Sequence, residues 1–123
     1  MLDASALLAS WFGEPGAERV TMALREASVS AVNYSEALAK FVAKGGSVTF
    51  AVDNVAASEL EIVAFDEDLA VSAAAIKTMH PRADLSFADR ACLALAMREG
   101  ATALTGDKRW STLAGIGAVE QFR

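Results

Sequence analysis

Short apolar runs alternate with longer helical stretches along almost the whole chain, and nothing else in the sequence restricts the fold as strongly. The runs cover residues 29–32, 62–65, 101–104 and 118–122, with Leu2 as the remnant of a first one. Between them apolar residues recur at helical spacing, as Val20, Ala23, Leu24 and Ala27 do within a helix predicted over 17–27. The most regular helix starts after Ser86, carries Ala88, Ala91, Cys92 and Leu95 on one face and stops at Gly100. Others are predicted over 5–12, 48–60 and 66–79, and from a cap at Asn33 to residue 44, where Gly45-Gly46 ends it. Residues 108–113 read as a helical turn. Strands joined through helices pair in parallel, and a parallel sheet needs helices on both of its faces. The expected class is therefore α/β with a central, mostly parallel sheet.

Four acids, Asp3, Glu36, Asp89 and Asp107, stand where predicted helices begin. In such a sheet the carboxyl ends of the strands and the adjoining helix starts share one edge, so these distant residues are expected to meet in one pocket. Two unit charges 4 Å apart repel by about 4 kcal/mol at an effective dielectric near 20, which a bound cation relieves. With one His and one Cys in the chain, a zinc site of the His/Cys type is excluded. A carboxylate set instead suits Mg²⁺, with Mn²⁺ as substitute, and such an ion promotes phosphodiester hydrolysis. Each acid also has a plain structural explanation. Asp3 and Asp107 can cap helices, Asn33-x-x-Glu36 and Ser86-x-x-Asp89 resemble capping boxes, and Asp66 occupies an equivalent position. Helix dipoles favour the ionised acids by about 0.3–1 kcal/mol each, so the metal site is expected to be preformed.

A chain of 123 residues fits one domain over 1–123, and its 54% apolar share implies a filled core with apolar surface left for a partner or a homodimer. Cys92, alone and among alanines and leucines, reads as a buried thiol in a reducing compartment. The start lacks a basic leader and no uncharged stretch reaches membrane-spanning length, so a soluble, cytoplasmic protein is expected. The net charge of -5 argues against a broad nucleic-acid footprint. Arg82, Arg90, Lys108 and Arg109 nevertheless lie near the later acids and are candidates to steer a nucleic-acid backbone; the plain alternative is a solvated face. His80 beside Pro81 reads as a loop residue, and Trp11, Phe12 and Trp110 as core aromatics.

Four segments, LDASALLA at 2–9, SAVNYSEAL at 30–38, DLSFADRACLALA at 84–96 and LTGDKRW at 104–110, together resemble the PIN-domain nucleases, and among them the VapC-type toxins. The resemblance spans essentially the whole chain. It implies a three-layer α/β/α fold and Mg²⁺-dependent endoribonuclease activity, often on structured RNA such as tRNA, with a cognate antitoxin that occupies the groove. By position it makes Asp3, Glu36, Asp89 and Asp107 the catalytic, metal-holding acids, and Ser5 the small hydroxyl residue beside them. Asp66 falls at a helix start and is expected to be a cap. Two features depart from the pattern: only Met1 and Leu2 precede Asp3, where relatives have a longer apolar strand, and Asp84 stands where glycine is common. An inert binding module of the same fold is the alternative. A third reading, a phosphoaspartyl enzyme or receiver domain with Asp3 as acceptor, lacks the further acid two residues on that such a site needs.

Overall fold

Each strand of this protein is three residues long, so the sheet is specified less by strand length than by what the helices cover. The computed structural model describes residues 1–123. Strand β1 (Ser28–Ser30) pairs in parallel with β2 (Glu61–Val63), and β3 (Ala103–Thr105) with β4 (Val119–Gln121). Leu2 joins the two pairs, bridging Val29 on one side and Leu104 on the other, both in parallel. Its N–H donates to Ser28 (2.9 Å), while Leu104 N–H donates to Met1 (2.7 Å) and Asp3 N–H to Leu104 (3.3 Å). A remnant strand thus lies at the centre of the sheet, in the order β2, β1, Leu2, β3, β4.

Side chains along a strand alternate between faces, and two separate cores follow from that. Leu2, Val29 and Leu104 join helices α1 (Ala4–Phe12), α2 (Ala17–Ala23), α3 (Ala31–Ala43) and α4 (Val48–Ala57) in one apolar cluster. Met1, Ala103 and Val119 join α5 (Glu67–Met79) and α6 (Phe87–Glu99) in the other. Helices on both faces of a parallel sheet make the expected three layers. Trp11 and Trp110 lie in these cores, and burial pushes the Cys92 thiol well up in pKa.

Local hydrogen bonds correct several predicted boundaries. The helix after β1 starts at Ala31 and not after Asn33, because Ser30 accepts from Val32 N–H and is the cap. Asn33 is instead buried inside α3 and donates to the Ala88 carbonyl (2.9 Å). The helix predicted over 17–27 ends at Ala23, followed by a 3₁₀ turn (Leu24–Glu26), because Ala27 must be extended to enter β1. Residue 101 is not in a strand: its N–H returns to the Ala96 carbonyl and finishes the left-handed cap at Gly100. Asp66 caps α5 by accepting from Leu69 N–H, as expected, and Ser86 with Asp89 forms a true capping box.

Candidate active site

Parallel pairing brings the ends of the central strands and the starts of α1, α6 and a 3₁₀ turn (Lys108–Thr112) to one edge. All four predicted acids line a single polar cavity there, of about 290 Å³, together with Ser5, Lys40, Ser86 and Arg109. A larger, shallower apolar hollow beside it shares only Glu36 and Ser86 with the acidic one. Chemistry belongs with the smaller cavity, because that is where the charges are.

Asp3 is the deepest of the four, with 5% of its surface exposed. It caps α1 through Oδ1, which accepts from Ala6 N–H (2.9 Å) and from the Ser5 hydroxyl (2.6 Å). Oδ2 accepts from the Thr105 hydroxyl at 2.5 Å. Both hydroxyls serve twice, since Ser5 accepts from Gly106 N–H (3.0 Å) and Thr105 from Asp107 N–H (2.9 Å). A relay of neutral groups therefore ties the first acid to the loop that carries the last. Burial raises the pKa of Asp3; the three hydrogen bonds oppose the shift, and the charge of Asp89 adds to it. Asp89 is also raised, first by burial and further by the charges of Glu36 and Asp107, which shows how closely the acids converge. Its capping box uses Oδ2 on Ser86 N–H (2.9 Å).

The other two acids carry their own counter-ions. Glu36 lies in the second turn of α3 and not at its start, because Ser30 begins the helix; it pairs with Lys40 one turn on (3.0 Å). Asp107 caps the 3₁₀ turn through Arg109 N–H and is gripped by the Arg109 guanidinium, with Nε 3.0 Å from Oδ1 and Nη2 2.6 Å from Oδ2. That guanidinium is the largest influence on Asp107, whose pKa it lowers.

Of the other predicted bases, Arg82 and Lys108 are exposed outside the acidic cavity. Arg90 faces the other way, donating to the Ala73 carbonyl on α5 (3.2 Å), because its helix position points between α5 and α6. Thr105 and Lys40 were missed. The signal for Thr105 was its place beside Asp107 in the LTGDK run; that for Lys40 was its spacing of four from Glu36. His80 is a loop residue on the Ala114 carbonyl (2.7 Å).

The donor set fits a hard divalent cation, since four carboxylates and two hydroxyls converge on one cavity. As they stand, however, no three acids form a ready metal-ligating cluster, so the expectation of a fully preformed site is corrected. The physical reason is the pairing of Glu36 and Asp107 with their own cations.

A short parallel sheet between two helical layers, with acids gathered at its carboxyl edge, defines an α/β/α protein with an acidic edge cavity. The PIN domain family model matches residues 1–116, and the chain belongs to the PIN-domain family. Its fold is similar to that of a toxin-antitoxin complex from Klebsiella pneumoniae (TM-score 0.77, 19% identity, 99% of this chain and 96% of that one covered). It is also similar to VapBC2 from Rickettsia felis bound to a DNA fragment from their promoter (0.75, 16%, 98% and 96%). DNA-bound VapBC from Salmonella typhimurium is a third such structure (0.74, 17%, 100% and 97%). No curated protein matches the sequence. No helix is long and apolar enough to cross a membrane.

Proposed function

We propose that this protein is a metal-dependent endoribonuclease, the toxin of a toxin–antitoxin pair, that hydrolyses RNA at the acidic cavity. The observation that carries the reading is the convergence, within a PIN fold, of Asp3, Glu36, Asp89 and Asp107 from four separate parts of the chain. These four hold Mg²⁺ or Mn²⁺, and Ser5 and Thr105 keep Asp3 in one orientation. A bound ion would supply positive charge for phosphodiester hydrolysis and would lower the pKa of a water. Hydrolysis forms one P–O bond to the water oxygen and breaks one to a sugar oxygen, leaving a phosphate end and a hydroxyl end. Arg109, at the cavity rim, meets the RNA backbone, with Arg82 and Lys108 farther out along its path.

A cognate antitoxin is the protein partner, in keeping with the complexes that share this fold. The rings of Phe12, Phe41 and Phe50 form a row across α1, α3 and α4, with Phe12 and Phe50 exposed, and this apolar row suits an amphipathic antitoxin segment. The apolar surface also supports a homodimer, and an RNA substrate is in keeping with a cytoplasmic protein. The ion pairs on Glu36 and Asp107 favour a second reading, an inert binding module of the same fold. Asp3 as a phosphoryl acceptor has little support, because the position two residues on holds Ser5 and not the further acid such a site needs.

Purified protein incubated with total RNA and Mg²⁺ is expected to cleave it, EDTA to stop the cleavage, and Asp107→Asn to abolish it while keeping the cap. Cleavage that persists in Asp107→Asn or in EDTA overturns the metal assignment, and RNA left intact by the wild type favours the inert module.

A further inference from the structure

Resting on the metal-nuclease reading, we propose that Arg109 guards Asp107: its guanidinium holds the carboxylate until a nucleic-acid phosphate takes it, so that divalent metal and nucleic acid bind cooperatively. Both oxygens of Asp107 are engaged by Arg109, one of them also by the Arg109 N–H. A cation reaching this carboxylate must share it with a guanidinium of like charge already in a two-pronged grip, which is the strong form of such a pair. The grip is local and reversible. The Arg109 side chain is 59% exposed, against 24% for Asp107, so it can swing outward without disturbing the core.

The backbone beneath does not need to move. Asp107 N–H is held by Thr105, Gly106 N–H by Ser5, and the Asp107 carbonyl by Gln121 Nε2 (3.0 Å). Release therefore changes side chains alone. An arginine fork matches a phosphate as well as it matches a carboxylate, so the substrate is a natural exchange partner. Asp84 lies on the outer side of the same guanidinium, with Oδ2 at 3.4 Å from Nη1, and holds it weakly because that carboxylate is 98% exposed. Glu36 differs, since its Lys40 makes a single contact from an exposed position, which a metal displaces more easily.

If phosphate removes the guanidinium from Asp107, it strengthens metal binding, and by linkage the metal strengthens phosphate binding by the same factor. Isothermal titration of Mn²⁺ into the full chain tests this, with and without a single-stranded DNA decamer whose integrity is checked afterwards. Without DNA, Arg109→Gln is expected to bind Mn²⁺ about 3- to 10-fold more tightly than wild type, with Arg109→Lys between them. Asp84→Asn is expected to shift the same affinity by less than Arg109→Gln does. With DNA, the wild type is expected to gain more Mn²⁺ affinity than Arg109→Gln gains, because only the wild type has a grip to release. Equal or weaker Mn²⁺ binding by Arg109→Gln overturns the proposal while leaving the metal site intact. A wild type and variants that all fail to bind Mn²⁺ overturn the metal reading and this one together.

Discussion

The two walls of the acidic cavity solve the same electrostatic problem in opposite ways. On the inner wall, Asp3 and Asp89 are held by hydroxyls and backbone N–H groups, none of which carries charge. On the outer wall, Glu36 and Asp107 are held by Lys40 and Arg109. Neutral donors fix a carboxylate in place without adding a compensating charge; burial raises the pKa of both inner acids, and these hydrogen bonds only partly oppose it. Cationic donors remove the charge along with the freedom to accept a metal. The contrast teaches that neutral donors leave a carboxylate's charge unpaired, whereas a cationic donor must be displaced before another cation can take its place.

The largest expected effect lies on the inner wall. Asp3→Asn should lower RNA cleavage at least about 100-fold, as the removal of one strongly contributing electrostatic group commonly does, while leaving the melting temperature close to that of wild type. Asp3→Ala should lose cleavage and also stability, because the Ser5 and Thr105 hydroxyls lose their acceptor in a buried site; gel assays and thermal melts measure both. If Asp3→Asn cleaves normally, the contrast between the walls has no catalytic meaning.

A smaller effect tests the relay. Thr105 is fully buried and links Asp3 to Asp107 N–H, so Thr105→Val should cost about 1–2 kcal/mol in chemical denaturation and reduce cleavage. Stability equal to wild type would show that the two acids are positioned independently.

The smallest effect sharpens the comparison by its sign. Asp3 has a folded pKa above the ordinary aspartate value of 3.8, so its contribution to stability is fully present below that value and is lost as pH rises through the folded one. Asp107 has a lowered pKa, so its contribution is present above 3.8 and is lost as pH falls through the folded value. In metal-free buffer, Asp3→Asn should therefore gain stability relative to wild type as pH rises from about 4 to 7, whereas the deficit of Asp107→Asn should stay nearly level over that range and shrink as pH falls below about 4. Parallel pH slopes for the two variants would abolish the distinction between the walls.

Much of this was legible in the chain because its signals are local. The Ser86 capping box, the Asp66 cap and the Gly100 stop each involve hydrogen bonds within a few residues, and each appears where the sequence placed it. Local reading failed where two local options competed. Asn33 and Ser30 could both begin α3, and Ser30 prevailed because β1 ends there, which moved Glu36 one turn into the helix. Arg90 looked like a companion of Asp89, yet neighbours in a helix point in different directions and its guanidinium reaches α5.

By itself the sequence determined the alternation of strand and helix, the places of Asp3, Asp89 and Asp107 at helix starts, and the apolar residues that fill two cores. Tertiary structure alone decided that Leu2 would be the centre of the sheet, that Thr105 would grip Asp3 across 102 positions, and that the four acids would line one cavity. The reason is physical: helix periods and caps are set by bonds between near neighbours, whereas the register of parallel strands, and every contact across the edge they form, exists only once distant segments have packed together.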